Sequence, residues 1–212
     1  MTRIAAIIPV GTLEGAKTRL GGALDAEERE ELVGGLLART VVAALAVDRL
    51  EDVLVVSPDR AVLRRASELG ARTLRQRSEG LNAGLAEARA DVMAGGAEAI
   101  LVLPIDLPFV TSEAIAAVLE PLAPHEPGDG RTGPVVVVVT DRHGTGTNAL
   151  ALCPPDIIAF AFGVASRGAH RAATEAASAT YVEVDGPLNI DLDTPDDLVF
   201  VESLTVEGIG AG

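Results

Sequence analysis

Apolar residues along the chain fall into two alternating patterns. Short unbroken runs at Ile4 to Val10, Val53 to Val56, Ala99 to Leu103 and Val135 to Val139 have the length of strands buried on both faces. Between such runs, apolar positions recur every three or four residues. Leu32, Leu36, Leu37, Val41, Ala44 and Leu45 make one face of a long helix, with Asp25 as N-cap and Glu27 and Glu28 in an acidic first turn. The same spacing predicts helices from Ser57-Pro58-Asp59 to Leu69, Leu81 to Met93, Thr111 to Leu119, Ser166 to Ala177 and Pro195 to Leu204. Gly70 and Gly95-Gly96 stop two of them. Shorter strands are expected at Ala71 to Leu74, Ala149 to Leu152 and Tyr181 to Val184. Pro121 to Pro134 lacks periodicity and reads as a surface loop, and Glu207 to Gly212 as a frayed tail. The strand–helix alternation predicts a single α/β domain over residues 1–212, with a mostly parallel central sheet and helices on both faces.

Composition sharpens this picture. Aromatic residues are only 2% of the chain, so Ala, Val and Leu must fill the core by close packing. The net charge of -14 repels nucleic-acid phosphates, so no nucleic-acid partner is expected, and a site for an anionic substrate must be locally basic or use Mg²⁺. Cys153 is the sole cysteine, which excludes an intrachain disulfide and a cysteine metal cluster. Five apolar residues before Pro9 are too few for a signal-peptide core, and no long uncharged apolar stretch follows. A cytoplasmic chain without membrane partners is expected.

Several polar segments interrupt the pattern. Gly11 to Leu20 is a glycine-containing loop at the carboxyl end of the first strand, carrying Lys17 and Arg19. A P-loop needs glycine immediately before lysine, and here Ala16 separates Gly15 from Lys17. Open α/β sheets bind ligands at that edge, so the two cations suit a phosphate chain; the plainer alternative is a solvated loop. Asp106, between Pro104 and Pro108, is either a turn or cap residue or a hard oxygen ligand for Mg²⁺. If Asn189 to Asp193 is extended, Asp191 and Asp193 share one side of it, and a bound cation would relieve their repulsion. Thr194-Pro195-Asp196-Asp197 fits helix capping instead.

Gly144-Thr145-Gly146-Thr147-Asn148 is either a hairpin turn or a set of free amides facing an anion. Phe162-Gly163 with Ser166-Arg167 is either a capped helix start, with Ser166 as N-cap, or an anion site. Gly80 to Leu85 begins a helix whose small residues allow tight packing or a base against the backbone, with Asn82 pairing to the base edge. His125, His143 and His170 have no partner at ligand spacing and are assigned no catalysis.

With these segments in order, the chain resembles the CofC/FbiD family, the guanylyltransferases of coenzyme F-420 biosynthesis within the MobA-like nucleotidyltransferases, over residues 3 to 204. The likeness is carried by Pro9-Val10 with Ala16 to Leu20, Gly80 to Ala83, Pro104 to Pro108, Gly144 to Leu150, Phe162-Gly163 with Ser166 and His170, and Asp191 to Pro195. It implies a Rossmann-like nucleotidyltransferase fold and transfer of GMP from GTP to a small phosphorylated carboxylic acid, with release of pyrophosphate. Phosphoenolpyruvate is the favoured acceptor, 2-phospho-L-lactate and 3-phosphoglycerate the others. By the resemblance, Asp106, Asp191 and Asp193 hold Mg²⁺; Gly11, Lys17, Arg19, Leu81 and Asn82, read from the segments themselves, are the expected nucleotide contacts. It also implies that Thr147, Gly163 and Ser166 bind the acceptor, with Asn148 as the alternative to Thr147; Lys17, Arg19 and Asp106 are expected to serve catalysis. Gly11 stands where many bacterial members have lysine, and Val164-Ala165 replace a more usual Pro-Gly. The alternatives are a molybdopterin or sugar-phosphate nucleotidyltransferase of the same fold, or a non-catalytic nucleotide-binding protein. A homodimer is left open.

Overall fold

The structure, a computed structural model, describes residues 2–12, 24–123 and 133–209, with side chains through 204. Its strands are β1 (Ile4–Pro9), β2 (Leu50–Ser57), β3 (Arg72–Arg75), β4 (Ala99–Val102), β5 (Val135–Thr140), β6 (Thr147–Cys153) and β7 (Thr180–Glu183). They form one sheet in the order β3-β2-β1-β4-β6-β5-β7. The helices are α1 (Ala26–Leu45), α2 (Arg60–Glu68), α3 (Leu81–Ala94), α4 (Ser112–Leu119), α5 (Ser166–Ala176) and α6 (Pro195–Ile209). The last runs beyond the expected Leu204, into the stretch read as a frayed tail.

Side chains alternate across each buried strand and so feed two cores. Ile4, Ala6 and Ile8 of β1 join α1, α2, α4 and α6 on one face. Ala5 and Ile7 join α3 and α5 on the other. The largest fully buried side chains are all Ile and Leu, as the scarcity of aromatics requires. Helix starts follow local chemistry: the Asp25 carboxylate accepts from Glu28 N–H at 2.9 Å, while Glu28 accepts from Asp25 N–H at 2.8 Å, a reciprocal capping box. Among the described residues, no helix is long and apolar enough to cross a membrane.

One strand is reversed. β1 to β4 pair in parallel and β7 runs parallel to β5, but β6 is antiparallel to both β4 and β5. The amino end of β6 therefore arrives at the edge where β1, β4 and β5 present their carboxyl ends. At that end the pairing shifts: Val139 faces Ala149 and Thr140 faces Thr147, leaving Asn148 as the extra residue of a bulge.

Candidate active site

The carboxyl edge of the sheet gathers most of the predicted segments. After β4, Leu103 N–H donates to Ile7 O, and the chain turns through Pro104 to Pro108. The Arg39 guanidinium of α1 donates to Pro108 O and holds that turn from behind. Asp106 O accepts from Leu192 N–H at 2.9 Å, which ties the turn to the distant Asp191–Asp193 segment. Leu192 is buried while Asp191 and Asp193 line a cavity on either side of it, as an extended spacing of two demands. Asp106 lines the same cavity.

Asp191 is approached from β6. Asn148 Nδ2 donates to Leu188 O at 3.0 Å and lies 3.4 Å from Asp191 Oδ1. Burial first, then the neighbouring Asp106 charge, raises the Asp191 pKa above the usual carboxylate value; Asp193 adds to the effect and the Asn148 contact opposes it. Among the described residues no group of three His, Cys, Asp or Glu side chains is drawn together tightly enough to form a ready metal cage. Asp197 takes the structural role expected of it. Its carboxylate accepts from Thr194 N–H (2.8 Å), Thr194 Oγ1 (2.7 Å), Asp193 N–H (3.1 Å) and Arg142 (2.5 Å), so it fixes the segment carrying Asp193 to the start of α6.

The cavity has a volume of about 560 Å³, and Thr147, Asn148, Gly163 and Ser166 line it together with Asp106, Asp191 and Asp193. The bulge in β6 separates its two polar residues. Asn148 meets Leu188 and Asp191, whereas Thr147 Oγ1 lies 3.0 Å from His170 Nδ1 on α5. His170, buried and edge-on to the Phe162 ring at 5.1 Å, has its pKa lowered to about 4 by burial. Sequence reasoning named this residue in the family likeness but gave it no partner, because its partners are a threonine and a backbone amide. The available signal is a polar stripe at helical spacing, Ser166, His170 and Thr174, all buried along α5.

Three open readings can be compared with the structure. The amides of the 144–147 turn are not free: Thr145 N–H donates to Asp141 Oδ1 at 2.7 Å, and Gly144 N–H to Asp141 O at 3.0 Å. Burial alone would raise Asp141, but the N–H groups of Gly146 and Thr145 outweigh it and hold its pKa low. A Cβ on Gly146 would lie 2.8 Å from Asp141 Oδ2, so only glycine lets the turn close around that carboxylate. Ser166 is not the N-cap of α5. Ala165 caps it in the left-handed conformation (φ 56°) without a side-chain bond, and Ser166 is the first helical residue, buried. The Asn82 carboxamide donates to Phe162 O (3.0 Å) and accepts from Phe162 N–H (2.9 Å), clamping α3 to the loop before α5.

Gly11 and Leu81 line a smaller hollow of about 240 Å³ with Val10, Pro58, Gln76 and Gly80, and Leu81 borders both spaces. Gly84 serves packing, since a Cβ there would lie 2.5 Å from the Gln76 carboxamide. Lys17 and Arg19 lie outside the described residues, as does most of the loop expected at 121–134.

Against this geometry, the family described as guanylyl transferase CofC-like matches residues 4–207. The chain belongs to that family. It is 42% identical over 201 residues to a phosphoenolpyruvate guanylyltransferase of Rubrobacter xylanophilus, covering 94% of each chain. It is 40% identical to one of Sphaerobacter thermophilus, covering 93% of this chain and 91% of that one. The fold is also that of a chain from Desulfovibrio desulfuricans assigned as a nucleotide-diphospho-sugar transferase, with a TM-score of 0.73 at 16% identity over 95% of this chain and 87% of that one. As a member of the family the chain is a guanylyltransferase with a Rossmann-like nucleotidyltransferase fold.

Proposed function

We propose that the chain transfers GMP from GTP to the phosphate of phosphoenolpyruvate in coenzyme F-420 biosynthesis. The observation that carries the reading is the single cavity in which Thr147, Gly163 and Ser166 face Asp106, Asp191 and Asp193. The relatives' names favour phosphoenolpyruvate over a pterin or a sugar phosphate. A phosphate oxygen of the acceptor attacks the α-phosphorus of GTP, the α–β bridging P–O bond breaks, and its electron pair leaves with pyrophosphate. The acceptor phosphate is already anionic, so no side-chain nucleophile or base is needed. What the chain supplies is positioning and charge neutralisation.

Thr147, Gly163 and Ser166 hold the acceptor, with Asn148 keeping Asp191 in place behind it. Lys17 and Arg19 steady the triphosphate and the departing pyrophosphate. The all-carboxylate donor set, with the Asp191 charge disfavoured by burial and by Asp106, fits a hard divalent cation. Asp106, Asp191 and Asp193 would hold Mg²⁺, which supplies electrostatic stabilisation of the phosphate charge.

The test incubates the protein with Mg²⁺, GTP and, separately, phosphoenolpyruvate, 2-phospho-L-lactate and 3-phosphoglycerate. Released pyrophosphate is measured, and the product is identified by mass after the downstream deazaflavin acceptor is supplied. Turnover fastest with GTP and phosphoenolpyruvate is expected. No pyrophosphate from any of the three acids would overturn the reading.

A further inference from the structure

A neutral imidazole has one donor and one acceptor nitrogen, and its neighbours decide which is which. His170 is buried in α5, and its ring is neutral near pH 7. Its Nε2 lies 3.1 Å from the backbone N–H of Ala161, a group that can only donate. Nε2 is therefore the bare, accepting nitrogen, and the ring's one proton sits on Nδ1. That nitrogen lies 3.0 Å from Thr147 Oγ1, so the imidazole donates and the hydroxyl oxygen accepts. The Thr147 proton has no place in that contact and remains available on the side of the cavity that Thr147 lines. The same polarity rules out a nucleophile–base couple, because Nδ1 already carries a proton.

We propose that His170 is a positioning residue that sets the hydrogen-bond polarity of Thr147: by donating from Nδ1 it occupies a lone pair of Oγ1 and leaves the hydroxyl as a donor to an anionic oxygen of the acceptor. The proposal rests on the reading of the cavity as the acceptor site. It requires the ring to be held in one orientation, and Ala161 N–H, the Phe162 ring and the Thr147 hydroxyl all contact it.

Two measurements test it. In the first, the full chain carries ¹⁵N-labelled histidine, and the His170 signals are identified as those missing from His170→Asn. A protonated Nδ1 and a bare Nε2 are expected; a proton on Nε2 overturns the proposal. In the second, pyrophosphate release is followed while phosphoenolpyruvate and GTP are varied in turn. His170→Phe, which removes the donor, is expected to raise KM for phosphoenolpyruvate roughly tenfold while KM for GTP stays within about twofold.

His170→Asn, which keeps an N–H near the position of Nδ1, should recover most of that loss. Adding His170→Phe to Thr147→Val should cost nothing further, because the ring acts through the hydroxyl. An unchanged acceptor KM in His170→Phe, or losses that multiply in the double variant, overturns the proposal. If His170→Phe does not fold, the Asn variant and the spectrum decide. If the unaltered chain releases no pyrophosphate, the functional reading fails, while the spectrum still decides the polarity of the pair.

Discussion

A half-buried carboxylate with three other aspartates nearby destabilises the fold that holds it, and Asp191 is in that position. Its Asn148 contact is long and offsets little of the burial. Sites arranged for binding commonly carry such a cost. Asp191→Asn should therefore raise the unfolding free energy by about 1 kcal/mol, read by urea denaturation without divalent ions, while abolishing guanylyl transfer. A variant both less stable and active would contradict the role given to this residue. Asp106→Asn should lower turnover by about a hundredfold or more and leave the circular dichroism spectrum unchanged, since the backbone bond to Leu192 survives the substitution.

At the scale of elements, the start of α5 carries a local strain. Ala165 adopts a left-handed backbone, and the fully exposed Val164 before it contributes no apolar burial. Ala165→Gly removes the Cβ conflict, and the extra freedom of glycine in the unfolded chain returns part of the gain. A net stabilisation of about 0.5–1 kcal/mol in chemical denaturation is expected. Most elements were legible from the sequence because apolar runs and helical spacing are local signals. The strand containing Thr147 and Asn148 was less so. Its reversal was implied only by a hairpin-like turn, and a one-residue bulge that sends adjacent side chains to different partners leaves no periodic trace. The partners of Asn82 and of the Gly144 and Thr145 amides left no periodic trace either: Phe162 lies 80 residues further on, and Asp141 closes the turn. His170 carries part of the family likeness, but its pairing was not legible because its partner in β6 comes 23 residues earlier.

For the whole molecule, titration separates two regions of acid sensitivity. The folded His170 pKa lies near 4 against an ordinary 6.5, so as pH falls below 6.5 the unfolded chain takes up the proton first. Stability from this residue is complete above 6.5, is lost as pH falls towards 4, and changes no further below. The loss is on the order of 3 kcal/mol. Asp141 and Asp197, held below their ordinary 3.8, contribute stability that is lost only below that value. Unfolding free energies measured between pH 4 and 6.5 should slope more steeply in the unaltered protein than in His170→Asn; equal slopes would remove His170 as the cause.

The inverted strand has a genetic consequence. One uninterrupted stretch, from Val135 through Glu183, encodes β5, β6, α5 and β7 and so every residue assigned to the acceptor, whereas the hollow beside Gly11 and Leu81 is encoded upstream. Swapping that cassette between relatives should transplant the choice of acid while guanine preference stays with the recipient.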